Sequence, residues 1–138
     1  MEKYSTDVLG VRVWRALDRQ PFYVALLEAL ERHLGAGAGA PIRAAFTLAE
    51  AGELRALVVG AGFRQIHLRI TTNLIRYPSP DAYVLGYLSV TPIARAIAAL
   101  DDTARMALLQ DVTTALRTFV DDDGLAAPTE SHVVVAHT

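Results

Sequence analysis

The sequence predicts an α/β fold: a small mixed sheet of about three strands accompanied by five helices. Three observations predict it. Short segments rich in β-branched residues stand near both ends of the chain, Val8–Trp14 and residues 132–136. Residues 65–74 alternate apolar and polar side chains with unusually clean period two. The stretches between carry apolar residues at helical spacing, punctuated by capping residues and proline.

The first strand is Val8–Trp14, short and β-branched. Gln20-Pro21 then opens a helix, proline being acceptable in a first turn where its missing N–H would be unpaired anyway. Phe22, Leu26, Ala29, Leu30 and Leu34 form its apolar stripe, with Glu28, Glu31 and Arg32 on the other side. Gly35, Gly37 and Gly39 alternate with alanine and end it, ahead of Pro41. Thr47-Leu48-Ala49-Glu50 matches a capping box. It predicts a second helix carrying Leu54, Leu57 and Val58 and stopping near Gly62, a natural left-handed C-terminal position.

In the second strand Ile66, Leu68, Ile70, Thr72 and Leu74 should share one covered face, leaving Gln65, His67, Arg69, Thr71 and Asn73 wet. Ser79-Pro80-Asp81 and Thr91-Pro92 each place a hydroxyl before a helix-starting proline, predicting short helices over 80–88 and 92–100. Asp101-Asp102 caps a longer one over 103–120, with Met106, Leu109, Val112, Thr113, Leu116 and Val120 as its stripe. It should end at a solvated Asp121-Asp122-Asp123-Gly124. The final segment, 132–136, is continuously apolar, as befits a strand buried on both faces.

Composition narrows the function classes. At 138 residues, 52% hydrophobic and 20% charged, the chain suits one domain, 1–138, with a real core. A net charge of -2, with twelve arginines dispersed and Lys3 the only lysine, gives no electrostatic footprint for nucleic acid or an anionic membrane. Absence of cysteine removes disulfides, thiol nucleophiles and cysteine-ligated metals. No apolar run is long enough to span a membrane, and Met1 to Ser5 begin no secretory apolar region, so a cytoplasmic protein is expected.

Motifs of chemistry are few. Gly35-Ala36-Gly37-Ala38-Gly39 resembles a dinucleotide loop, but a helix precedes it and Pro41 follows, whereas a phosphate loop joins a strand to a helix start. A flexible connector is the expectation. Val59-Gly60-Ala61-Gly62 fails for the same reason. His33, His67, His132 and His137 form no pair at ligand spacing, and His132 and His137 fall on opposite faces of one strand. The Asp121–Gly124 run lacks a calcium loop's spaced ligands, and no serine sits in a nucleophile elbow. The aromatic group is more informative. Tyr83 and Tyr87 share a helix face, Tyr77 lies just before them, and Trp14 ends the first strand. Such residues suit an apolar ligand pocket and equally a core edge or a subunit contact.

Taken in order, these segments resemble the C-terminal half of a class I S-adenosylmethionine-dependent methyltransferase with small-molecule acceptors. The resemblance rests on Val11-Arg12-Val13-Trp14-Arg15-Ala16-Leu17-Asp18-Arg19-Gln20-Pro21, similar to that family's fifth strand and the turn into its lid helix. Glu53-Leu54-Arg55-Ala56-Leu57 with Ala61-Gly62-Phe63 is similar to a helix end in the same family. Arg76-Tyr77-Pro78-Ser79-Pro80 and Pro128-Thr129-Glu130-Ser131-His132-Val133 resemble its cap and last strand, extending the likeness over residues 8–138.

The resemblance implies a sheet ending in strands five, seven and six, with seven antiparallel between its neighbours. It implies that Trp14 and Arg15 lie near the floor of an acceptor site, and that Phe46, Tyr77, Tyr83 and Tyr87 belong to its lid. It also implies what is missing. No position matches the family's glycine loop after strand one or its acidic residue ending strand two, so no S-adenosylmethionine-binding or catalytic residue is carried over and no cofactor is expected for this chain. The expectation is a methyltransferase-related protein without transfer activity of its own. The alternatives are a small-molecule-binding module for an apolar ligand and a subunit completing a split methyltransferase. An unpaired first strand, with Arg12 discouraging indiscriminate pairing, further predicts a homodimer through that edge or through helix exchange.

Overall fold

The computed structural model describes residues 7–48 and 50–138, an α/β arrangement of six α-helices and a four-stranded sheet among those residues. The amino-terminal segment read above for a secretory signal, and Ala49 of the expected capping box, lie outside the described residues. The chain runs β1 (Val8–Trp14), α1 (Pro21–Leu34), α2 (Ala40–Arg43), α3 (Ala51–Gly60), β2 (Gln65–Tyr77), α4 (Pro80–Tyr83), α5 (Ile93–Ala98), α6 (Asp102–Leu116), β3 (Val120–Asp121) and β4 (Gly124–His137).

The sheet order is β1-β4-β2, with β3 pairing the start of β4. Every ladder is antiparallel, so the sheet is not mixed in its pairings. β1 and β2 run parallel to one another but never touch, because β4 lies between them. The fourth strand is the two-residue β3, too short to be visible as a periodic segment. At 14 residues β4 is far longer than its apolar core of 132–136. Pro128 within it is tolerated because β1 has already ended opposite Ser131, leaving that side of β4 without a strand to bond.

Paired residues share a face, so register shows what covers the sheet. On one face Leu54 and Val58 of α3 pack on Val134 and Ala136, with Leu9, Val11, Ile66 and Leu68 around them. On the other face, at the far end of the sheet, Leu125, Ala127, Ile75 and Tyr77 meet the helical layer. Cover therefore switches sides along β2. Ile70 and Leu74, expected on its covered face, are 50% and 54% exposed, and Ile75 and Tyr77 are packed instead. Likewise β4 is not buried on both faces throughout: Val135 is 37% exposed.

The main core lies between α1 and α6. Phe22, Leu26, Ala29 and Leu30 are fully buried on α1, as its stripe predicts. On α6 the buried residues are Leu108, Val112 and Leu116, spaced by four, and Met106 faces solvent at 63% exposure. Val112 and Leu116 of the expected stripe are buried, Leu108 takes the place expected for Met106, and Val120 belongs to β3 instead of the helix. Asp101 caps α6 by accepting from the Ala104 N–H at 2.7 Å, and Ser79 caps α4 by accepting from Ala82 at 3.1 Å.

Four local expectations are corrected. Thr47 is not a cap: its hydroxyl donates to the Ala44 carbonyl, closing the turn before α3. Thr91 similarly bonds back to Leu88, leaving Pro92 to start α5 without a side-chain cap. Directly after the glycine-alanine link comes a helix beyond the five expected, α2, because Pro41 in its first turn favours helical backbone. The aspartate run is not a helix end but the two-residue turn of the β3–β4 hairpin, Asp122-Asp123, with Asp121 accepting from the Asp123 N–H at 2.9 Å.

Candidate ligand site

The site forms where β1 ends. Beyond Trp14 the chain leaves the sheet, and Gln20 holds it against β4. The Gln20 amide donates to the carbonyls of Glu130 (2.6 Å) and Arg15 (3.3 Å), and its oxygen accepts from the Glu130 N–H at 3.0 Å. Arg15 pairs with the Glu130 carboxylate at 2.8 Å beside this junction. Arg15 is thus engaged with the sheet edge.

The aromatic residues expected at a ligand site come together as one contiguous cluster. Trp14 lies 6.0 Å from Phe46, centroid to centroid; Tyr77 meets Tyr83 edge-on at 5.1 Å; and Tyr83 stacks on Tyr87 at 5.1 Å with 13° between planes. Helix α1 connects the two groups. Tyr23 sits 5.7 Å from Trp14, 5.3 Å from Phe46 and 6.4 Å from Tyr87, while Phe22 lies 4.9 Å from Tyr83. Sequence reading missed Tyr23. The signal was its place beside Phe22, one turn before the Leu26–Leu27 pair, which widens the apolar stripe to two residues per turn.

Burial decides what this cluster can do. It pushes the Tyr23 phenol up to about 12, with Tyr87 nearby adding to the effect. The Tyr83 phenol is raised further, first by burial and then by Tyr23 and Tyr87, and Tyr87 is raised by burial. These three groups stay protonated at neutral pH and cannot act as general bases there. They offer aromatic faces and hydroxyl donors. The Tyr83 hydroxyl is buried and makes no hydrogen bond of normal geometry, although the Tyr23 phenol is near enough to interact with it. A buried hydroxyl without a partner forfeits about 1–3 kcal/mol, which a ligand or water oxygen could recover.

Two cavities flank the cluster. One of about 330 Å³ is lined by Arg12, Val13, Trp14 and Ser131 at the edge of β1. The other, about 300 Å³, lies beneath the Val84–Leu88 turn, which closes by the wide π-helical pattern, and is walled by Leu88, Ile97 and Leu109. Arg105 reaches this cleft but donates to the carbonyls of Ile97, Ala98 and Leu100 and to Asp102, so its polar capacity is largely used. The cleft would select for apolar shape.

The histidines do not converge. His132 lies in the row of Val13 and Ile70, and His137 on the opposite face with Val8 and Gln65. His33 bonds Asp111 at 2.9 Å, and Arg32 grips the same carboxylate through two 2.9 Å bonds, tying α1 to α6. Arg32 is the main cause that holds the Asp111 carboxyl below the usual range. Among the described residues no group of three metal-ligating side chains assembles, and no helix is long and apolar enough to cross a membrane. No protein-family model matches the chain, and no curated protein matches its sequence at a significant level.

Proposed function

We propose that this chain is the acceptor-and-lid side of a class I S-adenosylmethionine-dependent methyltransferase, with no methyl transfer of its own. The observation that carries the reading is β4. It is a long strand antiparallel to two neighbours that run parallel to each other, in the order β1-β4-β2 that the resemblance assigns to strands five, seven and six. The aromatic cluster gathers Tyr23, Phe46, Tyr83 and Tyr87 with Trp14 at the end of β1 and Tyr77 at the end of β2, beside the floor and lid that the resemblance implies. Transfer requires donor and acceptor to be held together, and no residue here matches the family's donor-binding motifs. On this reading the protein works in the cytoplasm.

A thermal-shift series tests it. S-adenosylmethionine and S-adenosylhomocysteine at millimolar concentration should leave the melting temperature unchanged. A ligand at 100 times its dissociation constant stabilises by about 2.7 kcal/mol, so a real donor site would be obvious and would overturn the reading. A second reading, an apolar-ligand module, is favoured by the apolar cleft walled by Leu88, Ile97 and Leu109. Stabilisation by 1-naphthol or indole alone would select that reading. A subunit completing a split enzyme would respond to neither.

The same reading includes a homodimer. The outer edge of β1 pairs with no strand among the described residues. An antiparallel twofold pairing centred on Val11 would set each Arg12 opposite the partner's Gly10, avoiding a clash of like charges. Sedimentation at micromolar concentration should give a dimer that Gly10→Pro converts to monomer, because the Gly10 N–H faces the outer edge of β1 and proline there removes a ladder donor. A wild-type monomer refutes the dimer.

A further inference from the structure

At the end of the sheet where α3 packs, the described residues cover one face only, and the opposite face has a specific chemistry. Opposite α3, three rows cross the sheet: Val8–His137–Gln65, Gly10–Val135–His67 and Arg12–Val133–Arg69. Val133 and Val135 stand on the central strand. Arg12 stands on one flanking strand, and Arg69 and His67 on the other. No aspartate or glutamate occupies these rows, and neither arginine has an ion-pair partner among the described residues.

From this arrangement we infer that the face binds an amphipathic helix from a partner protein, its apolar stripe on the β4 valines and acidic residues on both flanks. Dimensions fit one helix. The axes of β1 and β2 lie two strand spacings apart, about 10 Å, which matches a helix diameter. The rows extend about 14 Å along the strands, the length of roughly ten helical residues. Gly10 leaves open space above β1, with nothing within 4 Å of where a Cβ would be, so a helix can settle close to the sheet.

Charge complementarity sets the sign of the partner. Arg12 donates through Nε to the Ser131 hydroxyl at 3.2 Å, but two guanidinium groups without carboxylate partners astride an apolar strip are costly to cover unless carboxylates meet them, and at such a contact arginine forms bidentate bonds. Nucleic acid fits less well. These rows hold no aromatic platform, the strip between the charges is valine, and the chain is acidic overall.

The test uses the full chain and fluorescein-labelled synthetic peptides of about 15 residues, long enough to cover the rows. One carries a leucine-alanine stripe flanked by glutamate, a second has lysine for glutamate, and a third is a scramble of the first. Anisotropy should show the glutamate peptide binding at least tenfold more tightly than the other two, with affinity falling as salt rises. Arg12→Glu with Arg69→Glu should reverse the preference toward the lysine peptide. Equal binding of all three, no binding, or tighter binding of a single-stranded oligonucleotide would overturn the inference. If the double variant does not fold, as judged by circular dichroism, the wild-type peptide comparison and its salt dependence still decide. Peptide binding is read independently of the S-adenosylmethionine response, so either proposal can fail alone.

Discussion

Replacing Gly124 by alanine should be among the most destabilising single-methyl additions in this protein. Gly124 closes the β3–β4 hairpin at φ +116°, a backbone region that residues with a Cβ occupy at a cost of about 1–3 kcal/mol. Space is the harder limit. A Cβ there would lie 2.5 Å from the Pro78 carbonyl oxygen and 2.7 Å from that of Tyr77. Both contacts are backbone, so no rotamer change relieves them, and the hairpin must move away from the end of β2. Tyr77 packs on Tyr83 there, so that end of the aromatic cluster depends on the register of β2 with β4. The combined cost should reach about 3–5 kcal/mol, a large part of a typical domain's stability. A fall in melting temperature of about 10 °C or more is expected, with loss of near-ultraviolet dichroism from the tyrosines. Gly52→Ala is the control. It adds a Cβ in open space on α3 and should raise stability by up to about 1 kcal/mol. A Gly124→Ala protein melting within 2 °C of wild type would show that the hairpin does not bear on the core.

How much of this was legible in the sequence depended on the range of the physical cause. Alternation in β2, the α1 stripe, and the Asp101 and Ser79 caps are local signals, and each element formed where they stood. The aspartate turn was misread because a two-residue hairpin shows itself only through its partner, Leu125 across from Val120. On α6 the first buried position was misassigned because Met106 looks as apolar as Leu108, and only packing against α1 separates them. The change of covered face along β2 had no local signal at all, since it follows from where α3 and α1 lie relative to β4. The candidate aromatic residues were identifiable by type, and their convergence was a matter of topology. Gln20 was the extreme case. It reads as an ordinary helix-preceding residue, and its importance is set by a partner 110 positions away.

Gln20→Leu should therefore cost about 2–4 kcal/mol, although leucine fills similar space in a position with no solvent exposure. The substitution leaves the Glu130 N–H without its acceptor and removes the donor to the Glu130 and Arg15 carbonyls, at a site buried from water. Arg15 still donates its own N–H to the Glu130 carbonyl at 3.0 Å, so the chain should stay attached to β4 but hold Trp14 less firmly. Gln20→Glu separates hydrogen bonding from packing. An ionised carboxylate would aim negative oxygen at two carbonyls and would be buried as well, so both effects raise its pKa above the ordinary carboxylate value of about 4.3. A group raised on folding contributes stability that is fully present below its unfolded pKa and is lost as pH rises through the folded one. Gln20→Glu should thus approach wild-type stability near pH 4, where the protonated acid can donate as the amide does, and fall below Gln20→Leu at pH 8. The leucine variant should keep a nearly constant deficit relative to wild type over the same range. Denaturant melts of the three at pH 4, 6 and 8 decide the matter. Parallel pH profiles for the two variants would mean that Gln20 acts by filling space and that the strand end is held by Arg15 alone.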